Sequence, residues 1–188
     1  TKVVTVRYDK RVVERYQVLT QSNVRHGYYK LYHNNGNIAL EHTYNHGALS
    51  GLEKIFHEDG SLSGILRIKN GKYEGPFTYY HSEGMVQQKG YYKENVMDGE
   101  LCSYYPDGTL KECVTMKNNV EHGPFREYAS NGVLLRQGNY VSIMGDKEGF
   151  YKAFETSVHL GVDPTILDPA IENKYGKEKR YRLITGEF

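Results

Sequence analysis

Residues 51–74 read GLEKIFHEDGSLSGILRIKNGKYE and residues 75–98 read GPFTYYHSEGMVQQKGYYKENVMD, so one pattern of 24 residues occurs twice in succession. The pattern extends over five copies, each with a lead glycine and a second glycine nine residues later. The lead glycines are Gly27, Gly51, Gly75, Gly99 and Gly123, and the second glycines are Gly36, Gly60, Gly84, Gly108 and Gly132. A fixed period of this length predicts a repeat protein in which each unit packs against its neighbours.

Apolar positions keep step with the glycines and indicate a β-hairpin in each unit. An aromatic residue follows each lead glycine by five positions, at Tyr32, Phe56, Tyr80, Tyr104 and Tyr128. An aliphatic residue follows by eleven, at Ile38, Leu62, Val86, Leu110 and Leu134. Between them lies a short Asn/Asp/Glu/Ser-Gly segment, which is typical of a hairpin turn. The predicted fold is all-β, an elongated single-layer antiparallel meander of about six hairpins, in which all ten glycines serve as turn residues.

The register of these hairpins decides whether Cys102 and Cys113 meet. A two-residue turn at Asp107-Gly108 would place the two thiols opposite each other. A three-residue loop, with a type I turn and the glycine in the left-handed region, instead pairs each aromatic residue with the aliphatic one. Because this second register gives one consistent apolar face in all five copies, it is favoured and predicts no bond between the cysteines.

The ends of the chain depart from the repeat, within what we interpret as one domain of 188 residues. Residues 1–26 are expected to form a degenerate N-terminal cap, 27–146 the five repeats, and 147–188 a partial repeat with a C-terminal cap. Asp168-Pro169 is typical of a helix start and predicts a short helix near 169–175. A last strand is expected near 179–185.

The motifs HEDGSL, IKNGKYEG and TYYHSEG give the chain a resemblance to the MORN-repeat family, specifically to its bacterial-type variant with a 24-residue spacing. The resemblance covers about residues 27–155. It implies a sheet used as a platform for docking proteins or membranes, and some members of the variant family act as antitoxins or immunity partners of toxins. Asn95-Val96 and Asn119-Val120 stand where the family pattern has Asn-Gly, so these two loops are expected to be shaped differently.

Charge and composition exclude some function classes. Residues 27–146 carry 11 Lys/Arg against 14 Asp/Glu, which argues against nucleic-acid binding along the repeats. Residues 1–26 carry six against two, and a solvated strand end explains them better than an anion site. No signal peptide or membrane span is visible, which slightly favours the cytoplasm and leaves open an exported chain whose leader was removed.

Catalytic and metal-binding groups are not apparent, and neither a cofactor nor a metal is expected. His33, His57 and His81 occupy one repeat position, but such positions lie roughly 9–10 Å apart, too far to share an ion. We interpret them as polar residues at strand ends. Since no nucleophile lies near a base in the hairpin pattern, the chain is expected not to be an enzyme.

The sheet surface is therefore the candidate site. The predicted binding residues are Tyr32, Phe56, Tyr80, Tyr104 and Tyr128 on one face, and Tyr29, Phe77 and Phe125 on the other. The leading hypothesis is a non-catalytic module for a protein partner, with an antitoxin-type role as one form of it. The alternatives are a membrane-associated scaffold for anionic lipid, which the acidic repeats disfavour, and an activity carried by residues after Val162. Self-association through sheet edges or faces is also expected.

Overall fold

A computed structural model describes residues 1–144, 167–172 and 179–185, and in these residues every regular element is a β-strand. The strands are β1 (Lys2–Tyr8), β2 (Arg11–Val18), β3 (Arg25–Tyr32), β4 (Ile38–Asn45), β5 (Ala48–Phe56), β6 (Leu62–Lys69), β7 (Lys72–Tyr80), β8 (Val86–Lys93), β9 (Val96–Met97), β10 (Gly99–Tyr104), β11 (Leu110–Lys117), β12 (Val120–Tyr128), β13 (Leu134–Met144), β14 (Leu167–Glu172) and β15 (Lys179–Thr185). The predicted all-β antiparallel meander is confirmed.

The chain divides into two compact units. The first comprises Thr1–Met97 with Ser103–Thr109, and its strands follow the order β1-β2-β3-β4-β5-β6-β7-β8, with β9 paired to β8. The second comprises Asp98–Cys102 with Leu110–Phe188, and its strands follow the order β10-β11-β12-β13-β15-β14. Consecutive strands up to β13 are therefore hydrogen-bonded neighbours within each unit, as short hairpin connections require, whereas β15 lies between β13 and β14.

The first turn of each repeat is the predicted three-residue loop. In the loop 34–36, His33 N donates to Asn37 O at 2.8 Å, and Gly36 N donates to His33 O at 3.0 Å. The same pair of bonds closes the loops that begin after His57, His81, Tyr105 and Ala129. Each second glycine has a positive φ of 80–92°, which only glycine adopts without strain.

The second turns are two-residue turns of one shape. Both central residues have positive φ at His46-Gly47, Asn70-Gly71, Glu94-Asn95 and Asn118-Asn119. Asparagine tolerates the left-handed region because its short side chain can bond locally, so it replaces glycine here. The expectation that the loops at 95–96 and 119–120 would differ in shape is therefore wrong.

Cys102 and Cys113 form a disulfide, so the prediction that they would not bond is also wrong. The predicted register does hold beside the turns, where Tyr32 pairs with Ile38, Phe56 with Leu62, Tyr80 with Val86 and Tyr128 with Leu134. A β-bulge directly follows each of these pairs and moves the register by one residue, so that Leu31 faces Leu40. The same shift in the fourth repeat places Cys102 opposite Cys113, with Cα atoms 4.1 Å apart.

Four of the five lead glycines lie in a second bulge rather than in turns, and Gly99 shares their left-handed φ, which corrects the turn role predicted for these glycines. Between Thr43↔Ser50 and Glu41↔Lys54, β5 contains two more residues than β4, and Gly51 lies among them with a φ of 89°. Gly27, Gly75 and Gly123 have the corresponding register shift, and with Gly99 they have φ values of 97–119°. The repeat thus requires one glycine for a turn and another for a bulge.

Buried side chains gather on one face of the sheet, which we call the packed face. In the first unit it includes Val18, Leu66, Ile68 and Phe77, and Leu66 lies directly opposite Phe77. In the second unit it includes Val114, Met116, Phe125 and Tyr140. We call the opposite side, on which the aromatic residues of the Tyr32 position lie, the open face.

The two ends of the chain are both built from strands. Residues 2–18 form a hairpin, as expected for the N-terminal cap, with a two-residue turn at Asp9-Lys10. The predicted last strand is confirmed as β15, but the helix predicted near 169–175 is wrong because Leu167–Glu172 forms β14. Pro169 lies where the β14–β15 register shifts between Asp168 and Ile171, a position that tolerates proline in a strand. The partial repeat predicted at the start of the segment 147–188 lies outside the described residues.

Candidate docking face

A row of half-buried aromatic rings crosses the open face of the first unit. It comprises Tyr32, Phe56, Tyr80 and Tyr104. The rings of Tyr32, Phe56 and Tyr80 each face an aliphatic side chain across their hairpin. At the usual strand spacing, equivalent rings in successive repeats lie roughly 9–10 Å apart. In the second unit, Tyr128 is half-buried opposite Leu134. All five residues of this repeat position are therefore half-buried on the open face of their unit.

Histidine side chains link successive repeats by bonding to the backbone of the aromatic residues in the next repeat. His33 Nε2 donates to Phe56 O at 2.9 Å, and His57 Nε2 donates to Tyr80 O at 3.2 Å. His81 Nε2 makes the third such bond, to Tyr104 O at 3.3 Å. A carbonyl oxygen only accepts, so the proton lies on Nε2 in each ring. The interpretation of these histidines as polar residues at strand ends misses their role in linking one repeat to the next. Their recurrence at one position in three successive repeats is the sequence signal of that role.

Charged side chains form a second row on the open face of the first unit. Cross-strand pairing aligns Arg15, Lys30, Glu41 and Lys54, and Lys89 occupies the same row in β8. Glu41 lies 3.5 Å from the Lys30 ammonium and 3.3 Å from that of Lys54, so it is shared by two cations. The Lys89 ammonium lies 5.3 Å from the centre of the Tyr104 ring. Leu52 and Tyr91 remain 46% and 44% exposed on this face.

The remaining predicted binding residues lie on the packed face. Phe77 and Phe125 are the two largest fully buried side chains of the described chain, each about 2% exposed. Tyr29 is half-buried, and its ring stacks 4.6 Å from that of His42. Two of the three rings are thus unavailable to a partner in this structure, and the alternative that they stabilise cross-strand packing applies to them.

A buried polar cluster interrupts the packed face of the first unit. Glu53 is 5% exposed and occupies the repeat position of Phe77. Its carboxylate accepts a bond from Tyr73 Oη at 2.7 Å and lies 3.1 Å from His42 Nδ1. Burial alone would raise the pKa of Glu53, but the bonds from His42 and Tyr73 hold it below its usual value. Burial and the same carboxylate raise the pKa of Tyr73.

This cluster contains the residue types of an acid–base site without the access such a site requires. The His42 ring lies between Tyr29 and Tyr44, at 4.6 and 5.1 Å between ring centres. Its Nε2 is buried and has no hydrogen-bond partner among the described residues. Because neither reactive atom reaches solvent, the arrangement stabilises the sheet and offers no place for a substrate.

An acidic group lies on the packed face of the second unit. Glu112 faces Glu127 directly across the β11–β12 pair, and Glu127 bonds to Arg136. Burial, together with repulsion from Glu127 and Glu121, raises the pKa of Glu112. Arg136 and Lys111 lower the pKa of Glu112 by less than these causes raise it, so its negative charge opposes folding.

Ligand geometry for a metal occurs at one place in the part of the chain that is described. Glu100, Cys102 and Cys113 offer three ligand atoms within 4.8 Å of one another. Both sulfurs are already joined in the disulfide, however, and only a thiolate is an effective metal ligand. This group therefore does not fit an ion.

Together these features define a class of protein, an antiparallel hairpin-repeat protein with a packed face and an open, aromatic face. Residues 25–46, 73–94, 97–118 and 121–142 match the family model described as the MORN repeat variant, and the chain belongs to this family. Residues 47–72 lie between matched segments and have the same loops and bulges, with Glu53 in place of the aromatic residue. A search of curated proteins found no match. No helix in the described part of the chain is long and apolar enough to cross a membrane.

Proposed function

We propose that the chain is a non-catalytic repeat module that binds a protein partner through the open face of its first unit. One observation carries the proposal: the aromatic row is ordered by histidine–carbonyl bonds from repeat to repeat while its rings stay half-exposed. These bonds hold the backbone that carries the rings, so the rings are presented at regular intervals and supply large contact areas. Leu52 and Tyr91 add exposed apolar surface on the same face, on the far side of the charged row.

A non-catalytic role is consistent with the geometry of the described residues. The buried cluster around Glu53 is closed to substrates, and Cys102 and Cys113 are joined in a disulfide. The Ser61 hydroxyl bonds to the Asp59 carboxylate at 2.6 Å, but Asp59 also accepts the Ser61 amide, so this contact closes an exposed turn. In one form of this proposal the chain acts as an antitoxin-type partner of a toxin. This form rests on the family resemblance alone.

The test compares row variants with the intact protein on a purified partner. A partner is first isolated from the native source, and its Kd is then measured with both proteins purified. The double variant Phe56→Ser/Tyr80→Ser should weaken binding at least about tenfold, since hot-spot aromatics contribute about 2 kcal/mol or more each. Tyr8→Ser is the matched control, because Tyr8 is 71% exposed and lies outside the row.

Circular dichroism and thermal melts of each variant establish that the fold is retained. Undiminished binding by a folded Phe56→Ser/Tyr80→Ser variant would exclude the open face. Strong, salt-sensitive sedimentation with vesicles of anionic lipid, lost in the same variant, would replace the protein partner with a membrane. A function lost on deleting residues 163–188, with the row variants unaffected, would move the activity to the C-terminal segment.

A further inference from the structure

A pocket opens on the first unit where the aromatic row meets the N-terminal hairpin. It has a volume of about 510 Å³, which is within the usual range of ligand sites. Arg11, Val12 and Arg15 of β2 form one wall, and Tyr32 with the loop from His33 to Gly36 forms the other. Tyr32 is thus both a wall of the pocket and the first ring of the row.

The two arginines of this pocket differ from other cations nearby. Lys30 and Lys54 share Glu41, Lys72 pairs with Glu94, and the Arg25 guanidinium lies over three tyrosine rings. Arg11 and Arg15 are exposed, and within the described residues no carboxylate, carbonyl or ring is bonded to either guanidinium. Two uncompensated positive charges beside a cavity attract an anionic group.

The other groups of the pocket suit a partner that accepts hydrogen bonds. The loop at its wall is held in place, because His33 Nε2 bonds to Phe56 O and Asn35 Nδ2 donates to Glu58 O at 2.6 Å. The amide of Asn34 and the hydroxyl of Tyr32 make no such bond within the described part of the chain. They add neutral donors to the two guanidinium groups, whose planar forks match a carboxylate.

We infer that this pocket binds carboxylate groups of an acidic segment of the protein partner. The inference rests on the proposed function, because the pocket continues into the aromatic row that would hold the rest of that partner. Charge supports the same occupant: the charged row of the open face carries Arg15, Lys30, Lys54 and Lys89 against Glu41 alone. An acidic segment along these strands would meet net positive charge throughout.

The inference can be tested with a defined probe and without the native partner. A hexaglutamate peptide is titrated into isotope-labelled full-length protein, and amide shifts are followed by NMR. Shifts should concentrate at Arg11, Arg15 and the loop 33–36. The variant Arg11→Gln/Arg15→Gln should weaken the peptide's Kd by about tenfold or more, because it removes both charge-assisted hydrogen-bond donors of the pocket.

A charge-matched control separates a pocket from general attraction. Lys69→Gln/Lys93→Gln removes two exposed charges of the same unit and leaves the pocket intact, so its Kd should change less than about twofold. Equal losses in both double variants, or shifts spread over all lysines, would overturn the pocket. Binding of phosphatidylserine vesicles but not of hexaglutamate, lost in Arg11→Gln/Arg15→Gln, would overturn the acidic protein segment in favour of a lipid headgroup.

The two proposals fail in distinguishable ways. If the pocket is wrong and the module is right, Arg11→Gln/Arg15→Gln binds the purified partner normally while Phe56→Ser/Tyr80→Ser does not. If the module is wrong, hexaglutamate can still bind at Arg11 and Arg15 although the row variant leaves partner binding unchanged.

Discussion

At the scale of single residues, the packed face shows how one substitution changes the chemistry of a repeat. Phe77 and Phe125 fill their positions with buried rings. In the repeat that begins at Gly51, the equivalent residue is Glu53. A buried carboxylate is tolerated only where donors replace its lost water. Tyr73 and His42 supply these donors. They lie in β7 and β4, the strands on either side of the β5–β6 hairpin that carries Glu53.

Glu53 predicts that the protein loses stability in acid. Its pKa is lowered in the folded state, so its contribution is complete above the unfolded pKa of about 4.3 and disappears as the pH falls through the folded value. We expect Glu53→Gln to lower the free energy of unfolding at pH 7 by about 1–3 kcal/mol and to flatten its decline below pH 5. Urea unfolding at several pH values measures both effects.

Glu41→Gln is the control for that experiment, since Glu41 lies in half-exposed pairs with Lys30 and Lys54 that contribute about 1 kcal/mol or less. A Glu53→Gln variant with the stability and pH profile of the intact protein would show that the cluster is not held by the ionised carboxylate.

Glu112 predicts the opposite sign. Its pKa is raised in the folded state, first by burial and then by Glu127 and Glu121, so its ionisation disfavours folding at neutral pH. Glu112→Gln should therefore stabilise the protein at pH 7 by about 0.2–1 kcal/mol, and the gain should shrink as the pH falls and Glu112 becomes protonated. Thermal melts at pH 7 and pH 4 test this. A destabilised variant at pH 7 would contradict it.

At the scale of elements, the hairpin with its two bulges is the unit that repeats. The bulge after each aromatic–aliphatic pair shifts the register within the hairpin by one residue. The bulge at the lead glycine lies between one hairpin and the next, where it adds two residues to the first strand of the next hairpin. Side-chain pairing across each hairpin therefore has two registers in succession. One of them places the rings opposite aliphatic residues, and the other brings Cys102 to Cys113.

The disulfide should stabilise the fourth hairpin measurably. The cysteines are 11 residues apart, and closing a loop of that size stabilises a fold by roughly 2–3 kcal/mol. We expect Cys102→Ser/Cys113→Ser, and the intact protein in reductant, to lose about that much free energy of unfolding. Denatured intact protein should show no reactive thiol before reduction and two afterwards. Two reactive thiols in the unreduced protein would contradict the pairing.

Sequence reasoning found the turns of this fold and missed its bulges. Glycine at Gly36 and asparagine-glycine at Asn70-Gly71 specify their turns through local backbone preference, which is visible in the sequence. The bulge after each aromatic–aliphatic pair adds a residue that needs no particular residue type, so the residue pattern gave no sign that the cysteines would face each other. Pro169 likewise favoured a helix locally, whereas pairing with β15 placed it in a strand.

The candidate site divides in the same way. Periodicity placed the rings of Tyr32 and its equivalents on one face, and the structure puts them there. It could not show that Phe77 and Phe125 would be buried, because a single-layer sheet has no obvious inside until its side chains are packed. The bonds from His33, His57 and His81 depend on how each ring is turned towards a backbone carbonyl of the next repeat, which spacing along the chain does not give.

At the scale of the whole molecule, open sheet edges predict self-association. Among the described strands β1 pairs only with β2, and it carries Val3 and Tyr8 with 53% and 71% exposure. The stretch from Val3 to Val6 lies between Lys2 and the irregularity at Val6-Arg7, and it offers a short, apolar, unpaired template for another strand. We expect the intact protein to sediment with a mass that rises with concentration. Val3→Lys should return it towards the monomer, because a lysine on the edge disfavours pairing with a second copy.

The control is Leu135→Lys, which adds the same charge at an exposed apolar residue of β13, away from the β1 edge. It should leave the association unchanged if the β1 edge is responsible. Equal effects of the two substitutions would point to face-to-face contact instead, because both would then act through surface charge alone. A mass that stays at the monomer value up to the highest soluble concentration would contradict association through either surface.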